Sequence, residues 1–186
     1  MNKQNTGTIL IAVLLILAAS ISRVLMYPHN FSPIIGMAIF SGAVIKDRRL
    51  AFILPIVSMF LADVMFEVFN IAPGFWGWGQ LVGYGILALI TVIAFNLKKI
   101  NIINVAGYSV ASSIIFFILS NLSFFILDNP IYHTYSPDFS GFIDCFVKAL
   151  PFFRTSLIAD LIYSGVLFGA YYAITHYVVK KQQAIA

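Results

Sequence analysis

The chain has 186 residues, of which 61% are hydrophobic and only 10% are charged, and its formal net charge is +4. Soluble domains carry about 25% charged residues, so this composition excludes an ordinary soluble protein and predicts an all-α integral membrane protein with a single domain, residues 1–186. The basic residues stand at the ends of apolar runs rather than in one patch, which argues against nucleic acid as a partner.

Six apolar segments, separated by charged or polar residues, predict six transmembrane helices in chain order. They cover about residues 7–26, 33–45, 50–69, 80–97, 102–127 and 151–178. The first segment has features of a signal peptide, but its 19 uncharged residues from Gln4 to Ser22 are long enough to span a bilayer. We therefore interpret it as the first span. Pro28 and Pro33 break the chain before the second segment, and Pro151 suits the first turn of the sixth.

A shorter apolar pattern precedes the sixth segment and predicts an amphipathic helix over residues 139–150. Its apolar face is formed by Phe139, Phe142, Ile143, Phe146, Val147 and Leu150. Asp144 and Lys148 lie four residues apart on the polar face. We expect this helix either to lie at the outer membrane surface, where it would be an interfacial helix or a lid, or to be an early extension of the sixth span.

The distribution of basic residues predicts the orientation of the chain. Eight of the eleven basic residues fall on the cytoplasmic side if the N-terminus is inside: Lys3, Lys46, Arg48, Arg49, Lys98, Lys99, Lys180 and Lys181. The positive-inside rule then places both termini in the cytoplasm. In this orientation Trp76, Trp78, Tyr132 and Tyr135 fall at the outer interface, where aromatic residues are enriched.

Several ionisable residues interrupt the apolar segments. Each costs on the order of 2.5–3.5 kcal/mol in a bilayer, so we expect them to face the interior of the bundle. Asp63 and Glu67 share one face of the third helix because they are four residues apart. We expect Arg23 and Arg154 to neutralise them from neighbouring helices. Asp160 follows Arg154 by six residues, about 240° around a helix, and therefore points elsewhere.

These charges have two interpretations: a structural polar network that fixes helix packing, or a polar cavity, open to the outside, that binds a small solute. The loops "PHNFSP" and "APGFWGWGQ" favour the cavity because they bring donors and flat rings to the same end of the bundle. The candidate ligand-binding residues are Arg23, Asn30, Phe31, Asp63, Glu67, Trp76, Trp78, Asn121, Arg154 and Asp160. Their aromatic rings suit a flat ligand.

No motif for catalysis is found. The chain has no GxxxxGK[ST], HExxH or GxSxG sequence, and its three histidines are scattered. We therefore expect no enzyme, no metal and no cofactor. The single cysteine, Cys145, excludes an internal disulfide, and we expect it to pack as a small apolar residue.

Four stretches between about residues 20 and 172 carry a resemblance to a known family: "RVLMYPHNFSPIIGMAIFSGA", "LPIVSMFLADV", "FFILSNLSFFI" and "GFIDCFVKALPFFRTSLIADLIYSGVLFG". The chain resembles an uncharacterised family of small bacterial membrane proteins, which is more distantly similar to the S components of energy-coupling-factor vitamin transporters. The resemblance implies a six-helix bundle in the inner membrane that captures a vitamin or metal-related solute at its outer side. It also implies association with a transmembrane coupling subunit and two ATPases.

The chain departs from S components on its first helix. Many S components carry an Ala-x-x-x-Ala pattern there, used against the coupling subunit, whereas this helix offers only Thr8-x-x-x-Ala12. We therefore predict a membrane-embedded binding protein for a small vitamin-like solute that takes part in uptake, with or without such a subunit. The alternative is a non-transporting structural or assembly subunit with a buried charge network.

Overall fold

The computed structural model describes residues 6–25, 30–75 and 77–185, and every regular element in this part of the chain is helical. The elements are α1 Thr6–Leu25, α2 Ile34–Val44, α3 Arg48–Val68, α4 Trp78–Ala94, α5 Ile102–Ser123, a π-helical turn Phe124–Asp128, the short α6 Asn129–Tyr132, and α7 Phe139–Ile185. The predicted all-α fold is confirmed, and each of the six predicted apolar segments overlaps one of the six main helices, α1 to α5 and α7. The sixth segment differs most, because α7 begins at Phe139 and not near residue 151.

Four helical stretches are long and apolar enough to cross a membrane. They are Thr6–Val24, Arg48–Val68, Ile102–Tyr132 and Phe139–Tyr177. The other two main helices are shorter, with 11 residues in α2 and 17 in α4. At 1.5 Å per residue α2 is about 16 Å long, roughly half of the hydrocarbon thickness. The structure is therefore compatible with a membrane protein, while the number of six spans stays a prediction.

The short helix α2 lies at the centre of the bundle. Nine of its eleven residues are buried, and it packs against α1, α3, α4, α5 and α7. Glycines allow two of these approaches. A Cβ at Gly42 would lie 2.5 Å from the carbonyl oxygen of Thr91 on α4, and a Cβ at Gly36 would lie 3.1 Å from the Cβ of Tyr163 on α7. Because other helices surround α2, it is buried within the bundle.

The two ends of the bundle differ in character. The basic end carries the exposed residues Lys46, Arg48, Arg49, Lys98 and Lys99. The opposite end, here called the loop end, carries the connections at residues 30–33, 69–75 and 133–138. The last helix turns of α1 and α3 and the first turns of α2 and α4 meet there, so polar residues from distant parts of the sequence come together.

The helix α7 begins at Phe139 and runs without a break, so the predicted helix over 139–150 is its first part. Asp138 precedes it and accepts hydrogen bonds from the Gly141 backbone N–H at 2.8 Å and from the Ser136 hydroxyl at 2.7 Å. These two donors lower the pKa of Asp138, the backbone donor contributing most. A carboxylate at this position is a favourable start for a helix.

Aromatic side chains pack this first part of α7 against α5 and the π-helical turn that follows it. The rings of Phe125 and Phe142 lie 5.5 Å apart, and those of Phe117 and Phe146 lie 5.7 Å apart, both edge to face. Cys145 is buried between the same helices, with its sulfur 3.9 Å from the carbonyl oxygen of Asn121. The segment therefore extends the sixth helix along α5, and Cys145 packs as expected.

Candidate functional site

A cavity of about 540 Å³ opens at the loop end of the bundle. All six main helices and the connections before α2 and after α3 contribute to its wall. Its ionisable lining residues are Arg23 and Asp160, and its aromatic lining residues are Phe31, Phe66 and Phe116. A pocket of this size with apolar walls and a few polar groups suits a small organic molecule.

Arg23, at the end of α1, lines the cavity while it pairs with Asp63 on α3. Its Nη1 atom lies 2.5 Å from Oδ1 of Asp63, and its guanidinium stacks over the Phe66 ring at 4.7 Å. The other carboxylate oxygen of Asp63 accepts hydrogen bonds from Gln80 at 2.9 Å and Tyr84 at 2.6 Å. Asp63 is only 1% exposed, and three donors compensate the loss of its hydration.

The same network holds the connection after α3 in place. The side-chain amide of Gln80 donates to the carbonyl oxygen of Gly74 at 2.8 Å, and the Gly74 N–H donates to the carboxylate of Glu67 at 2.9 Å. A Cβ at Gly74 would overlap the carbonyl oxygen of Asp63, so only glycine fits there. The charged residues of α3 thus fix the loop that borders the cavity.

Asp160, on α7, is the second buried carboxylate of the site and is also 1% exposed. Its Oδ2 atom lies 2.6 Å from the hydroxyl of Ser113 on α5. Its Oδ1 atom makes no hydrogen bond within the described residues, and Asp160 lines the cavity. Asp160 therefore presents one free acceptor to the cavity.

A serine hydroxyl is left without a partner at the same place. Ser32, in the connection before α2, lines the cavity, and its Oγ atom is buried without a hydrogen bond to any residue that the structure describes. Buried polar atoms in proteins nearly always have a partner. The Ser32 hydroxyl and the free oxygen of Asp160 are thus two polar atoms that a bound molecule or water would satisfy.

The connection before α2 is anchored to α7. Asn30 has a φ of 63°, a left-handed conformation that asparagine tolerates better than most residues, and its carbonyl oxygen accepts a hydrogen bond from Ser156 at 3.2 Å. The Phe31 ring packs at 5.7 Å from Tyr163. Asn30 and Phe31 both line the cavity, as does Ser156.

A second cavity, of about 360 Å³, adjoins the first between α5 and α7. The two share the lining residues Asn30, Ile35, Phe116, Ser120 and Ser156. Asn121 lines this second cavity, and its side-chain amide donates to the carbonyl oxygen of Phe117 at 2.7 Å.

The structure thus places the ten predicted site residues in different surroundings. Arg23, Asn30, Phe31 and Asp160 line the main cavity, Asn121 lines the adjoining one, and Asp63 supports Arg23 from behind. The expected pairing of Arg23 with Asp63 is found.

Three of the remaining predicted residues, Glu67, Trp78 and Arg154, do not line the main cavity. Glu67 is exposed and bonds to the loop, Trp78 is 64% exposed, and Trp76 lies outside the described residues. Arg154 is exposed and lines neither cavity. It does not neutralise Asp63 or Glu67 in this structure, because its position on α7 lies about 240° from that of the inward-facing Asp160.

Other residues of the site were not among the sequence-based candidates. Gln80 and Tyr84 complete the shell around Asp63, and Ser113 contacts Asp160. Ser113 belongs to a group of serines in the middle of a mainly apolar helix, with Ser109 and Ser112, which is a signal that the sequence offers. Tyr84 gives no such signal, since tyrosines are common in membrane segments for other reasons.

Comparisons with known proteins give one finding on kinship. No curated protein and no solved structure matches the chain. A family model described as a family of unknown function, DUF6580, matches residues 3–183, almost the whole length. The chain therefore belongs to the DUF6580 family.

Proposed function

We propose that this chain is a membrane-embedded protein that binds a small, vitamin-like organic solute at the loop end and takes part in its uptake. The observation that carries the proposal is the cavity of about 540 Å³, because it combines aromatic walls with two polar atoms, Oγ of Ser32 and Oδ1 of Asp160, that have no hydrogen-bond partner among the described residues. A purely structural charge network has no need of such a hollow beside it.

The proposal includes an orientation and a location. With six spans in the inner membrane of a bacterium and both termini in the cytoplasm, the basic end faces inward and the cavity opens outward. The exposed Lys46, Arg48, Arg49, Lys98 and Lys99 at one end support this, since basic residues accumulate on the cytoplasmic side. An outward opening is what capture of an external solute requires.

The proposal includes a coupling subunit with ATPases as a partner, because S components, which the chain distantly resembles, associate with such a subunit. The short motif on α1 does not support that partner. Ala12 of the Thr8-x-x-x-Ala12 pair is fully buried inside the chain, so it is not available to another subunit. If a coupling subunit binds, it uses another surface.

The alternative of a non-transporting structural subunit draws support from one observation. Asp63 is completely paired, with Arg23, Gln80 and Tyr84 as donors, which is what a network that only fixes helix packing would show. The same argument does not extend to Asp160, whose Oδ1 atom is free within the described residues.

A cavity-filling variant tests the proposal. Gly83 lines the cavity, and a Cβ built there meets no atom within 4 Å, so Gly83→Phe places a ring in the hollow without a backbone clash. We expect the gently purified wild type to carry a bound small molecule in native mass spectrometry and Gly83→Phe to have lost it. The physical reason is direct exclusion by the ring.

Gly85→Phe is the matched control. Gly85 lies on the same helix, also has open space around its Cβ position, and faces a groove between α4 and α5 instead of the cavity. We expect this variant to retain the bound molecule and both variants to show a wild-type melting transition. Retention by both variants, or a wild type that carries no small molecule, would contradict the binding proposal.

A further inference from the structure

The two ionisable residues that line the cavity differ in how their charge is compensated. Arg23 is matched by Asp63, whose carboxylate pairs directly with the guanidinium. Asp160 has no cationic partner within the described residues. The cavity wall therefore carries one compensated pair and one carboxylate without a counter-charge.

Within the part of the chain that the structure describes, the surroundings of Asp160 offer no other source of positive charge. Its helix packs against α1, α2 and α5. Among the described residues of these three helices, the ionisable side chains are Arg23 and Tyr108 alone, and α2 has none. On α7 itself, Arg154 is exposed and Tyr163 hydrogen-bonds to Ser22 at 3.0 Å. A buried carboxylate without a cationic partner among the described residues calls for neutralisation by a proton or by a cation from elsewhere.

The Ser113 hydroxyl can hydrogen-bond to Asp160 whether the Asp160 carboxyl group is ionised or protonated. Its oxygen lies 2.6 Å from Oδ2 of Asp160 and 2.8 Å from the carbonyl oxygen of Ser109, yet a hydroxyl has one proton to donate. When Asp160 is ionised, Ser113 donates to it. When Asp160 is protonated, it donates to Ser113, and Ser113 donates to Ser109. Both protonation states are hydrogen-bonded without movement of heavy atoms.

We propose that the bound solute presents an organic ammonium group to the free oxygen of Asp160, and that this ammonium competes with a proton for the carboxylate. The inference rests on the proposed function, whose solute class it names. Rings at Phe31 and Phe116 line the same cavity and favour a cation through their π faces. A metal ion fits less well, because no group of three His, Cys, Asp or Glu side chains converges anywhere in the described ranges.

Chemical modification of Asp160 tests the inference without knowledge of the natural solute. The probe is dicyclohexylcarbodiimide, which reacts with a protonated carboxyl group: the proton passes to a carbodiimide nitrogen, the carboxylate oxygen adds to the central carbon, and acyl transfer to nitrogen leaves a stable N-acylurea. With the purified full chain in lipid nanodiscs, peptide mass spectrometry locates the adduct. We expect labelling at Asp160, at a rate that falls as the pH is raised.

Two size-matched competitors identify the charge of the group that Asp160 accepts. We expect 2-phenylethylammonium to slow the labelling, more strongly at higher pH, and 3-phenylpropanoate to leave it unchanged. Because the ammonium stays charged between about pH 5 and pH 9, as a lysine does, a pH effect on protection reports on Asp160. No labelling of Asp160, protection by the acid, or no protection by the ammonium at any pH would overturn the inference.

Variants supply the controls. Asp160→Asn keeps the shape of the side chain without the charge, and we expect its affinity for 2-phenylethylammonium, measured by equilibrium dialysis, to fall about tenfold or more, as expected for loss of a hydrogen bond to a charged group. Asp144→Asn changes an exposed carboxylate on the same helix and should bind like the wild type. Equal affinities in the wild type and Asp160→Asn would contradict the inference.

The two proposals fail in different ways. If Gly83→Phe loses a bound molecule that the wild type retains, while the acid and not the ammonium protects Asp160, the binding function stands and the solute class is wrong. If the wild type carries no solute and Asp160 is protected by neither competitor, both fail.

Discussion

Two buried carboxylates of this protein have equal exposure but different surroundings. Asp63 and Asp160 are each 1% exposed, yet Asp63 receives hydrogen bonds from three side chains, whereas the side chain of Asp160 hydrogen-bonds only to Ser113 among the described residues. A fully paired carboxylate stabilises a fixed arrangement, whereas a partly paired one leaves binding capacity unused. At the scale of single residues, this difference separates the structural network from the candidate binding site.

The structural role of the Asp63 network predicts a stability effect for Tyr84. Tyr84→Phe removes the hydroxyl that donates to Asp63 at 2.6 Å, and we expect it to lower the free energy of unfolding by about 1.5 kcal/mol or more. Thermal unfolding in detergent, followed by circular dichroism, measures the effect. Tyr108→Phe is the control, because the Tyr108 hydroxyl has no hydrogen bond within the described residues, and it should melt like the wild type. Equal melting of both variants would contradict the assignment.

Glycines distinguish the helix faces that pack closely from those that do not. Small residues recur four apart at four places in the sequence, a spacing that predicts close approach of helices: Thr8 and Ala12, Ala38 and Gly42, Gly107 and Ala111, and Gly165 and Gly169. The structure finds a tight contact at Gly42, while a Cβ at Gly107, Gly165 or Gly169 would meet nothing within 4 Å. The spacing of small residues alone cannot tell these cases apart, because it does not specify which face of a helix meets a neighbour.

The contact at Gly42 predicts opposite results for two substitutions of the same kind. Gly42→Ala forces α2 away from the Thr91 carbonyl, and we expect a loss of about 1–3 kcal/mol in the free energy of unfolding. Gly107→Ala adds a methyl group in open space on α5 and should stabilise the protein by about 0.5–1 kcal/mol through helix propensity. Chemical denaturation in mixed micelles compares them, and a stable Gly42→Ala variant would disagree with this packing.

At the scale of the whole molecule, the proposed orientation has a direct test. Six spans with both termini in the cytoplasm place residue 136 outside and residue 186 inside. In a bacterial host, we expect alkaline phosphatase fused after Ser136 to be active and green fluorescent protein fused after Ala186 to fluoresce, since each reporter works on one side of the inner membrane. Activity of the phosphatase at the C-terminus instead would reverse the orientation and place the cavity opening in the cytoplasm.

The sequence predicts the helices of this bundle better than its site. Apolar segments ended by Lys46, Arg48, Lys98 and similar residues locate the six main helices, because transfer of charge into lipid is costly at any position. The pairing of Arg23 with Asp63 can also be predicted from the sequence, because the cost of an unpaired charge in lipid favours a pair of opposite charges. The exposure of Arg154 and the contact of Ser113 with Asp160 do not follow, because they depend on the rotation of α7 against α5, which packing across the whole bundle decides.

The buried position of α2 has a consequence for the way the chain is made. An eleven-residue helix that other helices surround can reach its place only when those helices are present, and four of its five neighbours, α3, α4, α5 and α7, are synthesised after it. During translation, α2 therefore lacks its full set of neighbouring helices until α7, the last helix, has been synthesised. The addition of α7 then completes the bundle and forms the cavity that Asp160 lines.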